Sequence, residues 1–368
     1  MPVKFANLLA QVEEIRDDLD AALEEVIAAT AFIGGKPVKE FEQALAKHSD
    51  RRFACGVANC TSALSIALRA MGVGPGKQVI TTVLTAIPTP EAITLAGGEV
   101  VFCDIEEATF QIDPAGVESA VTAETSVILP VHLYGLPARI DSLCEIAAKR
   151  EITVLEDCAQ AQGARYRDRQ LGTFGRTACF SFFPSKPLGG FGDGGAVVTD
   201  DEEIDRFVRM YSNHGRLDKF THEIEGANER LDALQAAILH VKLKKLDDWN
   251  RRRRDVADLY HEALEDIQEI VLPQAIPGSE PVWHLYVIRC PRRDDLGSFL
   301  KERGIQTGLH YPKPLHLQPA YARLGHAPGS FPVAERVTNQ ILSLPMDPHL
   351  TEDDVREVAD AIKEFFAR

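Results

Sequence analysis

The chain has 368 residues, 45% hydrophobic and 26% charged, and a formal net charge of −15. That length accommodates one large domain and a smaller one with substantial cores, and the acidity works against nonspecific binding to nucleic acid or membranes. With no apolar run near the roughly 18 residues of a membrane span and no basic, continuously apolar start of the secretory kind, a cytoplasmic globular protein is expected.

In chain order, Leu8, Val12, Ile15, Leu19, Leu23 and Val26 recur at helical spacing and predict one amphipathic helix. From about Phe53 to Val198, apolar runs at 78–80, 100–102, 127–129 and 153–155 alternate with helix-like stretches at 64–71, 92–97 and 141–150. That rhythm predicts βαβ units and a largely parallel sheet buried on both faces. A glycine-rich stretch at 189–195 interrupts it, and a long helix is expected from about Leu231 to Leu264. The run of four arginines at 251–254 lies in that pattern and reads as a solvated face or a subunit contact. Beyond about Val271 a smaller α/β unit ends in a helix over 352–366. The seven cysteines are scattered without a C-x-x-C pair and the eleven histidines lack ligand spacing. No disulfide framework or metal site is expected, and the cysteines read as small core residues.

Four segments carry chemistry. In residues 56–72 (GVANCTSALSIALRAMG), Asn59, Thr61 and Ser62 stand between a short strand and an apolar-periodic helix. Free N–H groups and hydroxyls at a helix start bind phosphate, although plain capping uses the same residues. In residues 153–164 (TVLEDCAQAQGA), Asp157 closes a buried strand, where a carboxylate serves either to hold a pyridinium nitrogen or to cap a helix. Gln160 follows at a distance suited to a ring oxygen. In residues 176–199 (RTACFSFFPSKPLGGFGDGGAVVT), Lys186 follows a strand and enters a glycine-rich turn. Burial there would lower its pKa and make it a Schiff-base nucleophile; a surface lysine beside a flexible loop is the plainer alternative. In residues 226–239 (GANERLDALQAAIL), Asn228 and Arg230 precede the long helix, and spacing alone does not separate a site from a cap and a solvated arginine.

Together these segments resemble the DegT/DnrJ/EryC1/StrS family of pyridoxal-phosphate sugar aminotransferases, from FIGGKPVKEFE at 32–42 to LPMDPHLT at 344–351. The resemblance implies the type I aminotransferase fold. Its large domain, residues 1–245 with the N-terminal helix segment, would hold a mostly parallel seven-stranded sheet. Residues 246–368 would form the long connecting helix and a small C-terminal α/β domain. It implies pyridoxal 5'-phosphate as cofactor, with Lys186 as its Schiff-base lysine, Asp157 at the pyridine nitrogen, Gln160 at the ring hydroxyl and Ala159 against one ring face. Thr61, Ser62 and Ser181 would bind the phosphate, and Asn228 would reach the phosphate of a neighbouring subunit in a homodimer with shared sites. Arg230 and LHYPKPLH at 309–316, with His310, Tyr311 and His316, would line the substrate region.

The implied reaction moves an amino group from L-glutamate to a nucleotide-linked keto sugar. Cys60 stands where many members carry glycine, and Ala86 where an aromatic often stacks on the cofactor. The TVLTAIPT pattern at 82–89 is similar to members that aminate C3, which favours C3 over C4. Retention of Lys186 argues against a dehydratase, in which that lysine is replaced. Intact Asp157, Gln160 and Ser181 argue against a non-catalytic regulatory homologue.

Overall fold

Short runs rich in β-branched residues form a sheet because each buries both faces between layers of helices. In the computed structural model, which describes residues 2–368, seven strands make it: β1 (Phe53–Val57), β2 (Gln78–Thr82), β3 (Glu99–Cys103), β4 (Thr125–Leu129), β5 (Thr153–Asp157), β6 (Thr177–Ser181) and β7 (Gly195–Thr199). Their order across the sheet is β1-β7-β6-β5-β4-β2-β3. Only β7 opposes its neighbours, pairing antiparallel with β1 and β6; the other pairs are parallel. Successive side chains enter opposite layers. Val79, Val127 and Leu155 join Leu64 and Leu68 of the helix Cys60–Ala70, whereas Ile80, Ile128 and Val154 join Leu143 and Ile146 of the helix Ile140–Lys149.

This topology brings the carboxyl ends of β1, β2, β5 and β6 and the start of β7 to one edge, the edge at which open α/β sheets bind ligands. Past Val271, Tyr286–Arg289 pairs antiparallel with Ile341–Leu344, and the helices Arg293–Glu302 and Glu352–Phe366 pack together beside them. Residues at the start of the chain bond to this second unit: Gln306 N–H donates to Val3 O and Met346 N–H to Phe5 O, both within 3.1 Å.

Two expected helices are each broken in two. The N-terminal pattern folds as Leu8–Glu14 and Arg16–Ala29, which meet at Ile15 with φ −125°. The later pattern folds as Ala233–Leu243 and Leu246–Leu264. The first of these packs on helices Arg16–Ala29 and Gly35–His48, the second on Glu352–Phe366. One straight rod cannot lie along both units. All seven cysteines are free thiols, six of them buried. Among the described residues, no helix is long and apolar enough to cross a membrane.

Candidate active site

The helix Cys60–Ala70 leaves the sheet edge directly after β1. Asn59 caps it, its Oδ1 accepting from Ser62 N–H at 2.9 Å. The N–H groups of Cys60 and Thr61 have no earlier helical carbonyl to reach and stay free to bind an anion. β7 approaches this turn so closely that a Cβ on Gly195 would stand 2.5 Å from the Asn59 carbonyl carbon. Cys60 itself has no left-handed backbone, since it is absent from the positive-φ residues of the chain. The glycine replaced here is therefore not required by conformation.

Thr61, Asp157, Ala159 and Gln160 line one cavity of about 370 Å³ together with Ser181, Lys186, His310 and Tyr311. Asp157, at the end of β5, is 3% exposed. Its Oδ1 accepts from Ala159 N–H at 3.0 Å and its Oδ2 from the Thr89 hydroxyl at 2.9 Å. Burial raises its pKa, against those two bonds and the charge of Lys186. Burial likewise lowers the pKa of the Lys186 amine, against Cys60 and Asp157. Gln160 is oriented by Tyr134, whose N–H donates to Oε1 at 2.6 Å. This leaves Nε2 as the end that reaches the Tyr311 hydroxyl at 3.5 Å.

His310 and Tyr311 come from the second unit. The His310 ring stacks on Phe5 at 5.6 Å, and its Nδ1 lies 2.8 Å from Ser343 Oγ. Burial, then Lys186, pushes its pKa down to about 4. Burial pushes Tyr311 up to about 12. Ala86 also lines the cavity, as do Thr89 and His284.

Four expected site residues stand elsewhere in this chain. The Ser62 hydroxyl donates to Glu229 Oε2 at 2.6 Å, turned from the cavity by its place one step further round the helix. His316 Nε2 lies 2.9 Å from Glu335 Oε1, and its ring packs 4.8 Å from that of Phe331. It is buried and does not line this cavity. Asn228 is exposed. Arg230 donates to Asn213 Oδ1 at 2.9 Å and bridges by its backbone to Val57, at the end of β1. Sequence reasoning assigned no role to Thr89, Tyr134 or His284; Thr89 stood only as the last residue of the TVLTAIPT pattern, and the other two lie in no motif.

Beneath the cavity, His132, Glu156 and Cys158 place ligand-type atoms within 4.8 Å of one another. Their donors are already committed. Ala138 N–H donates to His132 Nδ1, so the ring proton is on Nε2, 3.1 Å from Glu156 Oε2. Glu156 also accepts from Gly172, Phe174 and Gly175 N–H. Burial drives the Cys158 thiol well up. This cluster ties β5 to the loop before β6.

The cavity fits pyridoxal phosphate by donor chemistry. At one end are the helix start with Thr61 and Ser181 for a phosphate. A buried carboxylate stands ready for a protonated ring nitrogen, and a desolvated amine for an aldehyde. The Gln160 amide N–H suits a ring oxygen. Without such a cation, Asp157 is an unpaired buried acid.

The chain is 44% identical over 368 residues to the dTDP-3-amino-3,4,6-trideoxy-alpha-D-glucose transaminase of Streptomyces venezuelae, covering 100% of this chain and 97% of the relative. Its fold superposes with a TM-score of 0.98 on a solved structure of S. venezuelae DesV in complex with a ketimine intermediate, 44% identical and covering 100% and 99% of the two chains. It matches NtdA of Bacillus subtilis, solved with bound PMP, at 32% identity and a TM-score of 0.88, covering 95% of this chain and 82% of that one. The DegT/DnrJ/EryC1/StrS aminotransferase family model matches residues 13–363, and with a type I aminotransferase fold carrying lysine and acid at one cavity, the chain belongs to that family.

Proposed function

We propose that this pyridoxal-phosphate aminotransferase moves an amino group from L-glutamate to the C3 keto group of a nucleotide-linked sugar. In the same reading it works in the cytoplasm, as a homodimer with shared sites. The observation that carries it is the meeting of the Lys186 amine, the buried Asp157 and the Thr61 helix start in one cavity. The full-length relative named for a 3-amino sugar supports C3. When bound, the cofactor supplies an electrophilic carbon and an electron sink for exchange of an amino group and a proton.

The chain's residues do the rest. Asp157 holds a proton at the ring nitrogen, and Thr89 and Ala159 N–H hold Asp157. The N–H groups of Cys60 and Thr61, with the Thr61 and Ser181 hydroxyls, anchor the phosphate. Lys186, its charge disfavoured by burial, takes the proton from the donor α-carbon and returns it across the cleft as general base and acid. His310 and Tyr311 offer uncharged hydrogen-bonding groups to sugar hydroxyls, and Ala86 leaves room above the reacting atoms. Lys186, Asp157 and the phosphate-binding helix start lie in residues 1–245, and His310 and Tyr311 in 246–368. Exposed Asn228 and the exposed rings of Phe183 and Phe191 support a second copy over the cavity mouth.

The test is a two-step assay. Reconstituted protein is first treated with L-glutamate and followed by visible absorbance. It is then offered 3-keto and 4-keto nucleotide sugars. Loss of the visible band with glutamate and amination of the 3-keto sugars is expected; amination of 4-keto sugars alone overturns the regiochemistry.

A further inference from the structure

His284 lines the cavity, is only 7% exposed and has no hydrogen-bond partner in the chain. Its Nδ1 is enclosed and unpaired. An enclosed N–H without an acceptor is rarer than an enclosed acceptor without a donor, so the ring proton belongs on Nε2, the nitrogen left to face the cavity. The imidazole therefore offers a donor to whatever fills that space.

The backbone that delivers this ring is strained. Trp283, immediately before it, has φ +46°, a left-handed conformation that bulky residues rarely adopt. Val282 N–H donates to Gly135 O at 3.0 Å and Leu285 N–H to Tyr134 O at 3.3 Å, clamping the segment on both sides. At Gly135, itself at φ +84°, a Cβ would stand 2.8 Å from His284 N and 3.0 Å from Gln160 O. The His284 and Gln160 main chains thus meet at one glycine. Strain of this kind persists where packing over-determines it, and it gathers at functional sites.

We propose that His284 is a further cofactor-contacting residue, a second N–H donor beside the Gln160 amide for the ring oxygen of pyridoxal phosphate. Two donors on that oxygen draw negative charge from it and weaken its hold on the neighbouring proton. An uncharged imidazole is suited to this, since it donates without adding charge. Burial, with Lys186, Arg253 and His310 around it, keeps the ring uncharged. Cys60, Asp157, Asp193 and Tyr311 complete the titratable groups lining the cavity around it. The inference rests on the cofactor reading above.

The test compares wild type with His284→Ala and His284→Gln, the latter keeping an N–H at similar reach. Reconstituted proteins are titrated with pH and followed by visible absorbance, and cofactor affinity is measured separately. In His284→Ala the midpoint of the spectral titration should rise by about one pH unit and the absorbance maximum should move, with His284→Gln recovering much of both. If the alanine variant does not fold, His284→Leu, of closer volume and without a donor, takes its place. Unchanged spectra and midpoint in the donor-free variant overturn the proposal, as does a change confined to KM for the sugar. A wild type that never develops a visible band sinks the cofactor reading itself, and this inference with it.

Discussion

The Thr89 hydroxyl donates to Asp157 Oδ2 at 2.9 Å, from the start of the helix Pro88–Leu95 to the end of β5. It stabilises a charge that burial opposes. The raised pKa of Asp157 means that protonation favours the cofactor-free fold. That stabilisation is complete below the unfolded pKa and is lost as pH rises through the folded one, so the deprotonated carboxylate is a cost to the empty protein. Asp157→Asn should therefore leave the cofactor-free Tm equal or higher while abolishing transamination. Thr89→Val should weaken cofactor binding, measured by equilibrium titration, without that gain in Tm. A cofactor-free Asp157→Asn protein that unfolds earlier than wild type would refute the account.

Cys60→Gly puts at the phosphate turn the glycine that the family resemblance suggests for it. Position 60 begins a helix without a left-handed backbone, so glycine relieves nothing there. It loosens the unfolded chain and removes a buried side chain. A loss of about 0.5–1 kcal/mol or more in denaturant unfolding is expected, with cofactor affinity unchanged. A glycine variant that binds cofactor more tightly would show that the cysteine obstructs the phosphate turn.

The sheet was readable because parallel strands buried on both faces are uninterrupted apolar runs, as at 127–129 and 153–155, bounded by glycine and polar turns. Asp157 stood out because it closes such a run, and Lys186 because it stands between a strand and a glycine-rich stretch. His284 gave no signal, and Thr89 stood only as part of TVLTAIPT, since their contacts depend on which chain segments meet across the sheet edge. Gly135 φ and the Trp283 strain have no sequence period. His316 shares a motif with His310, yet the five residues between them turn it toward Glu335. The helix breaks at Ile15 and near Lys244 escaped notice because the apolar spacing runs through them while the packing partner changes.

His310 gives the acid limb of stability a definite sign. Burial and Lys186 hold its pKa at about 4, below the ordinary histidine range near 6.5. A depressed folded pKa contributes stability that is present above about 6.5 and lost as pH falls toward about 4, because the unfolded chain binds the proton first. Urea unfolding of cofactor-free protein at pH 7, 6 and 5 should show falling stability. His310→Asn, which can keep the Ser343 bond, should flatten that fall. Parallel curves for the two proteins would remove His310 from the explanation.

Gly195→Ala tests how the phosphate turn is built. The added methyl would stand 2.5 Å from the Asn59 carbonyl carbon and 2.7 Å from Cys60 N, both main-chain atoms that no rotamer change can move. Either β7 separates from the helix start, or the turn tilts and its N–H groups no longer converge. Overpacking of this sort costs about 1–3 kcal/mol, and here the strain falls on the donors proposed for the phosphate. Cofactor affinity should drop more than folding stability does, because Ser181 and Gly195 pair at the edge of the sheet, where part of the strain can relax outward. Excess free phosphate should protect wild type against thermal unfolding and protect the variant less. Equal protection of both would mean that the helix start at Cys60 and Thr61 does not hold the phosphate.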